Sequence, residues 1–477
     1  MRITFLGAAG GVTGSKTLLK VGKDYKEQYL VDYGLYQGAK ENRERNWMSY
    51  HGASKLSAVF LTHAHIDHSG LLPRLYRDGF RGKIYCTKET FRLCQILLMD
   101  SARIHEEDAK YANRKKISRH KPALPLYTTE EAQAVLKHFE VVDFEQELTI
   151  SKNIAITFFW AGHILGASFI RIRYKTNEGE EKTIVFSGDI GHKRNILLNE
   201  PQDICETDYL VLESTYGNKL HARIPAKEVL GMYLNTILKR GGVAVIPAFS
   251  VGRTQDILYL IKELMNDEAI PSVPVHLDSP LSKKANRIFN DCFNKGHVKD
   301  YVTEDIDIYP DTFVEVEDVE DSKGLTQMAG PRIVVSASGM IDGGRVVYHV
   351  MKHIVDENSG IILVGFQPEG TKGRILISGE KELHMHKQKF PVRASIFYID
   401  SLSAHGDYLD FIGWINESRI SPKLVILNHG EEQAAGHLKI LLESQLNLRT
   451  TVATFGEEFD LENIYDNQTK TASKIAA

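Results

Sequence analysis

The chain is 477 residues long, with 43% hydrophobic and 25% charged residues and a formal net charge of -4. That length exceeds one ordinary core, so two or three domains of a soluble globular protein are expected. No apolar run is long enough to span a bilayer, and the mildly acidic balance argues against nucleic-acid binding by a generally basic surface, though not by a local basic cleft. From the N-terminus, residues 3–6, 29–32, 58–61, 83–86, 154–160, 169–174 and 183–187 read as strands, rich in Val, Ile, Phe and Tyr and bounded by turn residues. Helical periodicity fills 88–100 and 129–139. Between them, 101–121 is basic and of mixed charge, either a solvated helix and loop or a lid with phosphate contacts.

From about residue 213 the pattern changes. Helices expected at 226–240, 252–265 and 344–353 alternate with buried strands at 243–247, 273–277, 333–336 and 361–364. Such alternation suggests βαβ units on a parallel sheet. The stretch 302–324 is acidic and reads as an irregular surface connection; strands return after about residue 374, at 392–398 and 423–427. The polar tail 467–477 is expected to fray. The 4 cysteines, Cys86, Cys94, Cys205 and Cys292, are scattered without a Cys-x-x-Cys pair. They fit a reducing cytoplasm and imply neither a disulfide framework nor a cysteine zinc site. The opening Met1-Arg2-Ile3-Thr4-Phe5-Leu6-Gly7 reads as a buried strand running into glycine, so no cleaved secretory signal is expected.

The strongest chemical signal is Thr62-His63-Ala64-His65-Ile66-Asp67-His68-Ser69-Gly70, directly after an apolar strand. Imidazole and carboxylate together suit Zn²⁺. In an extended segment His63 and His65 point the same way and can share one metal. Asp67 and His68 fall where the chain starts to look helical, so they turn towards a neighbouring position. Two later strands end in Gly162-His163 and Gly188-Asp189. Alone, each pair is ordinary turn chemistry; their weight comes from joining the first cluster.

Asp32 after a strand, then His63, His65, Asp67 and His68, then His163, then Asp189 match in type and order the motifs of the metallo-β-lactamase superfamily. Three further strand ends follow: Leu212-Glu213-Ser214-Thr215-Tyr216-Gly217, Ser401-Leu402-Ser403-Ala404-His405-Gly406-Asp407 and Leu427-Asn428-His429-Gly430-Glu431. Together they resemble the added acid and two histidines of the β-CASP nucleases, and most closely the endonuclease subunit of the cleavage and polyadenylation specificity factor and its stand-alone bacterial and archaeal relatives. The opening Gly7-Ala8-Ala9-Gly10-Gly11-Val12-Thr13-Gly14-Ser15 is similar to the bacterial members, and no appended RNA-binding module is expected at either end. The resemblance implies an αβ/βα sandwich built from 1–212 and 374–477, with an α/β β-CASP domain inserted at 213–373. It further implies one zinc on His63, His65 and His163, a second on Asp67, His68 and His429, and Asp189 bridging both. Asp32 would orient ligands, Asp67 would also serve catalysis, His405 would be the general acid and Glu213 its partner. The implied reaction is hydrolysis of single-stranded RNA to 5′-phosphate and 3′-hydroxyl ends, by a cytoplasmic enzyme for which a homodimer is allowed.

Glycine-rich turns offer free backbone N–H groups at helix starts, where phosphates bind. On that ground Ser250, Arg253, Ser338, Gly339, Arg345, Lys372 and Arg374 are candidate contacts to an RNA backbone; none has Walker spacing. Three rival readings remain open. A thioesterase or lactonase of the same superfamily would share the zinc motif but needs neither the insertion nor His405 and His429. A DNA nuclease of the same family generally lacks the histidine matching His429. A catalytically silent scaffold would be expected to have lost ligands.

Overall fold

The computed structural model describes residues 1–118, 120–222, 224–291, 296–302 and 308–463. Cys292 and the tail at 467–477 lie outside the described residues; Cys86, Cys94 and Cys205 are free thiols. Two seven-stranded sheets face each other. The first runs in the order Glu458–Asp460, Arg2–Phe5, Thr17–Val21, Glu27–Val31, Leu56–Phe60, Lys83–Cys86, Phe139–Val141. The second runs Thr450–Val452, Leu424–Asn428, Tyr209–Glu213, Glu181–Phe186, Ser168–Lys175, Ile154–Trp160, Leu148–Ser151.

Alternation along the strands explains the layers. Successive side chains point to opposite faces, so Tyr209 and Val211 join Ile3, Phe5 and Phe60 in the core between the sheets. Leu210 and Leu212 turn outward, into a core shared with Leu438 and Leu442 of the helix Glu432–Leu446. Val59 and Ile84 do the same on the first sheet, towards Leu72, Leu93 and Leu97. The result is helix, sheet, sheet, helix.

The chain leaves the second sheet at Glu213 and returns to it at Leu424. In between it builds a third sheet of six parallel strands, Phe313–Glu315, Val275–Leu277, Arg332–Ser336, Val243–Pro247, Gly360–Val364 and Ser395–Ile399. The expected return at residue 374 therefore comes too early: Ser395–Ile399 pairs residue for residue with Gly360–Val364. A second correction concerns 302–324, expected to be irregular. Phe313–Glu315 is the edge strand of that sheet, and Val319–Gln327 is a helix opened by a capping box from Asp318 and Asp321. A third concerns the helix expected at 88–100, which runs from Lys88 to Lys115 because its apolar stripe continues through Ala102 and Ala109. Among the described residues no helix is long and apolar enough to cross a membrane.

Candidate metal centre

The residues singled out in the sequence sit just past strand ends. Asp32 follows Glu27–Val31, His63 follows Leu56–Phe60, His163 follows Ile154–Trp160, and Asp189 follows Glu181–Phe186. Glu213 closes its own strand, and His429 follows Leu424–Asn428. Asp32 and His429 hold φ of 60 and 51, which turns their side chains out of the extended path. Backbone hydrogen bonds fix these turns: Asp32 N donates to Phe60 O at 3.0 Å, and His429 N to Ala8 O at 2.9 Å.

His65 Nδ1 lies 3.1 Å from both His63 Nε2 and His163 Nε2. Asp189 Oδ2 is 3.5 Å from each of those Nε2 atoms. Beside this group, His68 Nε2 lies 3.1 Å from His429 Nε2, and Asp67 Oδ2 is 3.7 Å from the same His429 nitrogen. Asp189 presents its other oxygen, Oδ1, to the second group, 3.3 Å from His68 Nε2 and 3.5 Å from His429 Nδ1. Within each group the ligand atoms lie within 4.8 Å of one another. His68 is aimed by Asp32, whose Oδ2 meets His68 Nδ1 at 2.7 Å while Oδ1 accepts from Thr62 N at 2.8 Å.

These donors fit a cation better than they fit one another. The buried Asp189 Oδ1 makes no well-formed hydrogen bond among the described residues, and a buried carboxylate left short of partners is unfavourable. Burial pushes His63 and His163 well below the ordinary imidazole range and His65 down to about 4. All three are therefore neutral at pH 7 and present lone pairs, the form that binds metal. Burial opposes charge on Asp189, but His429, His68 and His405 outweigh it and hold the carboxyl well below its usual range. At His68 burial likewise opposes charge, and Asp189 with Asp32 outweighs it, raising the imidazole well above its usual value. Without metal His68 keeps a proton, so a cation must displace that proton to use the nitrogen.

His405 comes from the third sheet, past Ser395–Ile399, and reaches across to Glu213. Its Nδ1 lies 3.0 and 3.2 Å from the two Glu213 oxygens and 3.9 Å from Asp189 Oδ2. Glu213 Oε1 is itself fixed by the Ile190 N–H at 2.6 Å. Burial works against the His405 charge, but Glu213 and Asp189 outweigh it and raise its pKa to about 9.

The phosphate candidates divide. Arg253 is buried and its guanidinium is engaged by Asp256 at 2.7 Å, so it is not available to a substrate. Arg345 donates to the buried Asp278 at 2.7 Å, alongside His349 at 2.7 Å, and serves the interior of the inserted unit. Ser250 is buried against Ser279. Lys372 makes only a long pair with Asp342, 3.5 Å, and Arg374 forms no ion pair among the described residues. Ser338 and Gly339 lie on a turn packed against Phe249: an added Cβ on Gly339 would sit 3.0 Å from that ring.

Three neighbours were not foreseen. The Phe249 ring lies 6.3 Å from His65, bringing the third sheet over the metal groups. The Tyr216 ring lies 6.2 Å from His405. His221 Nε2 meets the His405 carbonyl at 2.8 Å. Tyr216 lies within the Glu213 motif and Phe249 beside Ser250, but nothing local gives either ring, or His221, a role at the site, and only the tertiary contact reveals it.

Two facing sheets flanked by helices, with a His/Asp cradle at one edge, define a metallo-hydrolase of the metallo-β-lactamase type. Comparison with known families bears this out: residues 20–214 match the metallo-beta-lactamase superfamily domain, 254–376 the Beta-Casp domain, and 389–453 the Zn-dependent metallo-hydrolase RNA specificity domain. The chain is 30% identical to a ribonuclease of Thermus thermophilus, over 96% of this chain and 99% of that one. It is 32% identical to an RNase J-like protein of Methanocaldococcus jannaschii, over 84% and 88%. With a transcription termination factor of Methanosarcina mazei it shares 28%, over 95% of this chain and 70% of that one. The chain belongs to the β-CASP family of metallo-β-lactamase-fold, zinc-dependent hydrolases.

Proposed function

We propose that the protein hydrolyses phosphodiester bonds of single-stranded RNA, using two zinc ions per chain and leaving 5′-phosphate and 3′-hydroxyl ends. The observation that carries the reading is the His405–Glu213 pair, 3.0 Å apart and directly beside the cradle. A metal site alone would serve many hydrolases; a charged, carboxylate-held imidazole next to it suits protonation of a poor leaving group.

His63, His65 and His163 would hold one ion, Asp67, His68 and His429 the other, and the two oxygens of Asp189 would face one ion each. When bound, zinc lowers the pKa of water from about 15.7 to about 7 and offsets negative charge on the phosphate. Asp32 keeps the His68 ring turned so that Nε2 faces the cradle. His405 gives its proton to the departing nucleotide oxygen from Nε2, since Nδ1 is committed to Glu213. Lys372 and Arg374, the two cations of the glycine-rich turns least engaged within the protein, steady the strand's phosphates. The single strand is supported by close approach of the two units: Phe249 stands over His65, and the backbone at Gly38 meets that of Glu369.

The test is incubation with end-labelled and internally labelled single-stranded RNA and DNA, with and without a chelator. Cleavage of RNA that stops on chelation, with 5′-phosphate products, is expected. Cleavage of DNA alone, or of neither polymer with metal restored, overturns the reading.

A further inference from the structure

The longest helix, Lys88–Lys115, links the metal centre to a remote surface. At its start Thr87 and Thr90 donate hydroxyl hydrogen bonds, 2.7 and 2.9 Å, to the Gly166 carbonyl in the loop that carries His163. The last buried residue of the helix is Ala109, and it ends at Lys116 in the left-handed region, φ 55. At about 1.5 Å per residue, its 28 residues set the far end roughly 40 Å from that loop.

Beyond Lys116 the chain folds back and is clamped. Asn113 Oδ1 accepts from Ala123 N at 2.7 Å, and Asn113 Nδ2 donates to Ala123 O at 2.9 Å. The clamp gathers Arg114, Lys115, Lys116 and Lys121, all exposed. Among the described residues none of the four forms an ion pair. Tyr111 is 49% exposed among them, with the Arg114 guanidinium 5.7 Å from its ring centroid. The helix dipole favours cations in a last turn, which accounts for Arg114 and Lys115. It does not account for Lys121 on the returning chain or for the half-exposed Tyr111. In a chain whose net charge is -4, such a concentration of unpaired positive charge is a local feature.

We propose that this knob is a second contact for the RNA strand, in which the four cations neutralise phosphates and Tyr111 offers a face for a base. The proposal rests on the RNA-hydrolase reading. A membrane-surface helix would need one continuous apolar face beside its cations; the exposed Ile104 and Tyr111 of this helix are flanked instead by the exposed acids Glu107 and Asp108. Stacked nucleic acid carries about 3.4 Å per nucleotide along a strand, so roughly 40 Å corresponds to about 12 nucleotides. Short RNA therefore reaches the metal centre or the knob, and long RNA reaches both.

The experiment compares the full chain with a variant carrying Arg114→Gln, Lys115→Gln, Lys116→Gln and Lys121→Gln, on RNAs of about 5 and about 40 nucleotides. A milder variant, Lys116→Gln with Lys121→Gln, guards against a folding defect. The wild type is expected to favour the long RNA in kcat/KM, and the fourfold variant to lose that preference by about 10- to 100-fold. Its logarithmic salt slope for long-RNA binding should fall by up to about 3, at roughly 0.7 per neutralised phosphate. An unchanged length preference and slope overturn the proposal. So does loss of binding to phosphatidylglycerol vesicles with RNA behaviour intact, which would make the knob a membrane contact. If the wild type cuts neither RNA, the hydrolase reading falls, and the knob is judged by equilibrium binding of the long RNA alone.

Discussion

The Glu213–His405 contact makes a pH prediction with a definite sign. A general acid works only while protonated, and His405 is raised to about 9. Cleavage should hold up to about that pH and fall above it; a cation beside Asp189 offsets part of the support and moves the fall somewhat lower. Glu213→Gln should shift the alkaline limb down towards the ordinary imidazole value of about 6.5. His405→Ala should keep the metal and slow cleavage by about 10²–10⁴-fold. A His405→Ala protein that cuts RNA at the wild-type rate with its metal retained would show that the proton comes from elsewhere. The residue scale is also where sequence reading went furthest and then stopped. The clustering of donor side chains was legible, because several histidines and aspartates gathered at strand ends have few structural uses. The phosphate contacts were less so: Arg253 and Asp256 stand one helical turn apart, a spacing at which such pairs form, and that signal was visible but outweighed by the glycine beside it. Arg253→Met should therefore lower the melting temperature without changing the salt dependence of RNA binding. Asp256, already pushed up to about 6 by burial, would lose its partner. An acid whose folded pKa is raised loses stability as pH climbs from its unfolded value of about 3.8 through the folded one, so the deficit should be larger at pH 8 than at pH 5.

At the scale of elements, the metal centre depends on loops that brace one another through their backbones. Ser15 N donates to Asp67 O at 2.8 Å, Gly34 N to Ser15 O at 2.9 Å, and Tyr33 N to His68 O at 2.8 Å. Gly34 packs so tightly that an added Cβ would collide with the Asp67 carbonyl. Gly34→Ala should displace the segment bearing Asp67 and His68 and lower metal content, whereas Gly11→Ala, with nothing within 4 Å, should leave it intact. Equal metal content in both variants, by elemental analysis, would show the brace to be dispensable. Strand and helix existence was largely legible from periodicity, and the misses have physical causes. The helix from Lys88 outran its expected stop because no glycine or proline ends it and Ala109 still finds a buried seat. Phe313–Glu315 was hidden because a three-residue edge strand carries almost no alternation, and only its pairing with Val275–Leu277 defines it. Ser395–Ile399 was seen as a strand but assigned to the wrong sheet, since periodicity says nothing about which neighbour a strand will choose.

At the scale of the whole molecule, the cradle joins parts of the chain that fold as separate layers. His63 and His163 come from opposite sheets of the sandwich, and His405, beside the cradle, from the third sheet. Metal bound there acts only on the folded state, so its removal should lower stability by RT ln(1 + [metal]/Kd), about 4 kcal/mol at a thousandfold excess over Kd. Chelation should reduce the melting temperature, and Asp189→Ala should remove that metal-dependent increment because its two oxygens face both groups. A melting temperature indifferent to chelator in the wild type would mean that the cradle is empty or loosely held.

The order in which the parts are made has a consequence for synthesis. Glu213 is in place early, but its partner His405 and the last member of the cradle, His429, lie far along the chain, and the first sheet is closed only by Glu458–Asp460 pairing with Arg2–Phe5. A ribosome adding about 5–20 residues per second therefore holds an inactive nascent chain at least until these late residues have been added. On the proposed function, a growing RNA-cutting enzyme leaves its own template alone until residue 429 has been made and has folded into the cradle. Stalled chains ending before residue 405 should release no cleaved RNA even with zinc supplied, while chains that include residues 405–460 should; activity in the stalled chains would show that the late residues are not needed.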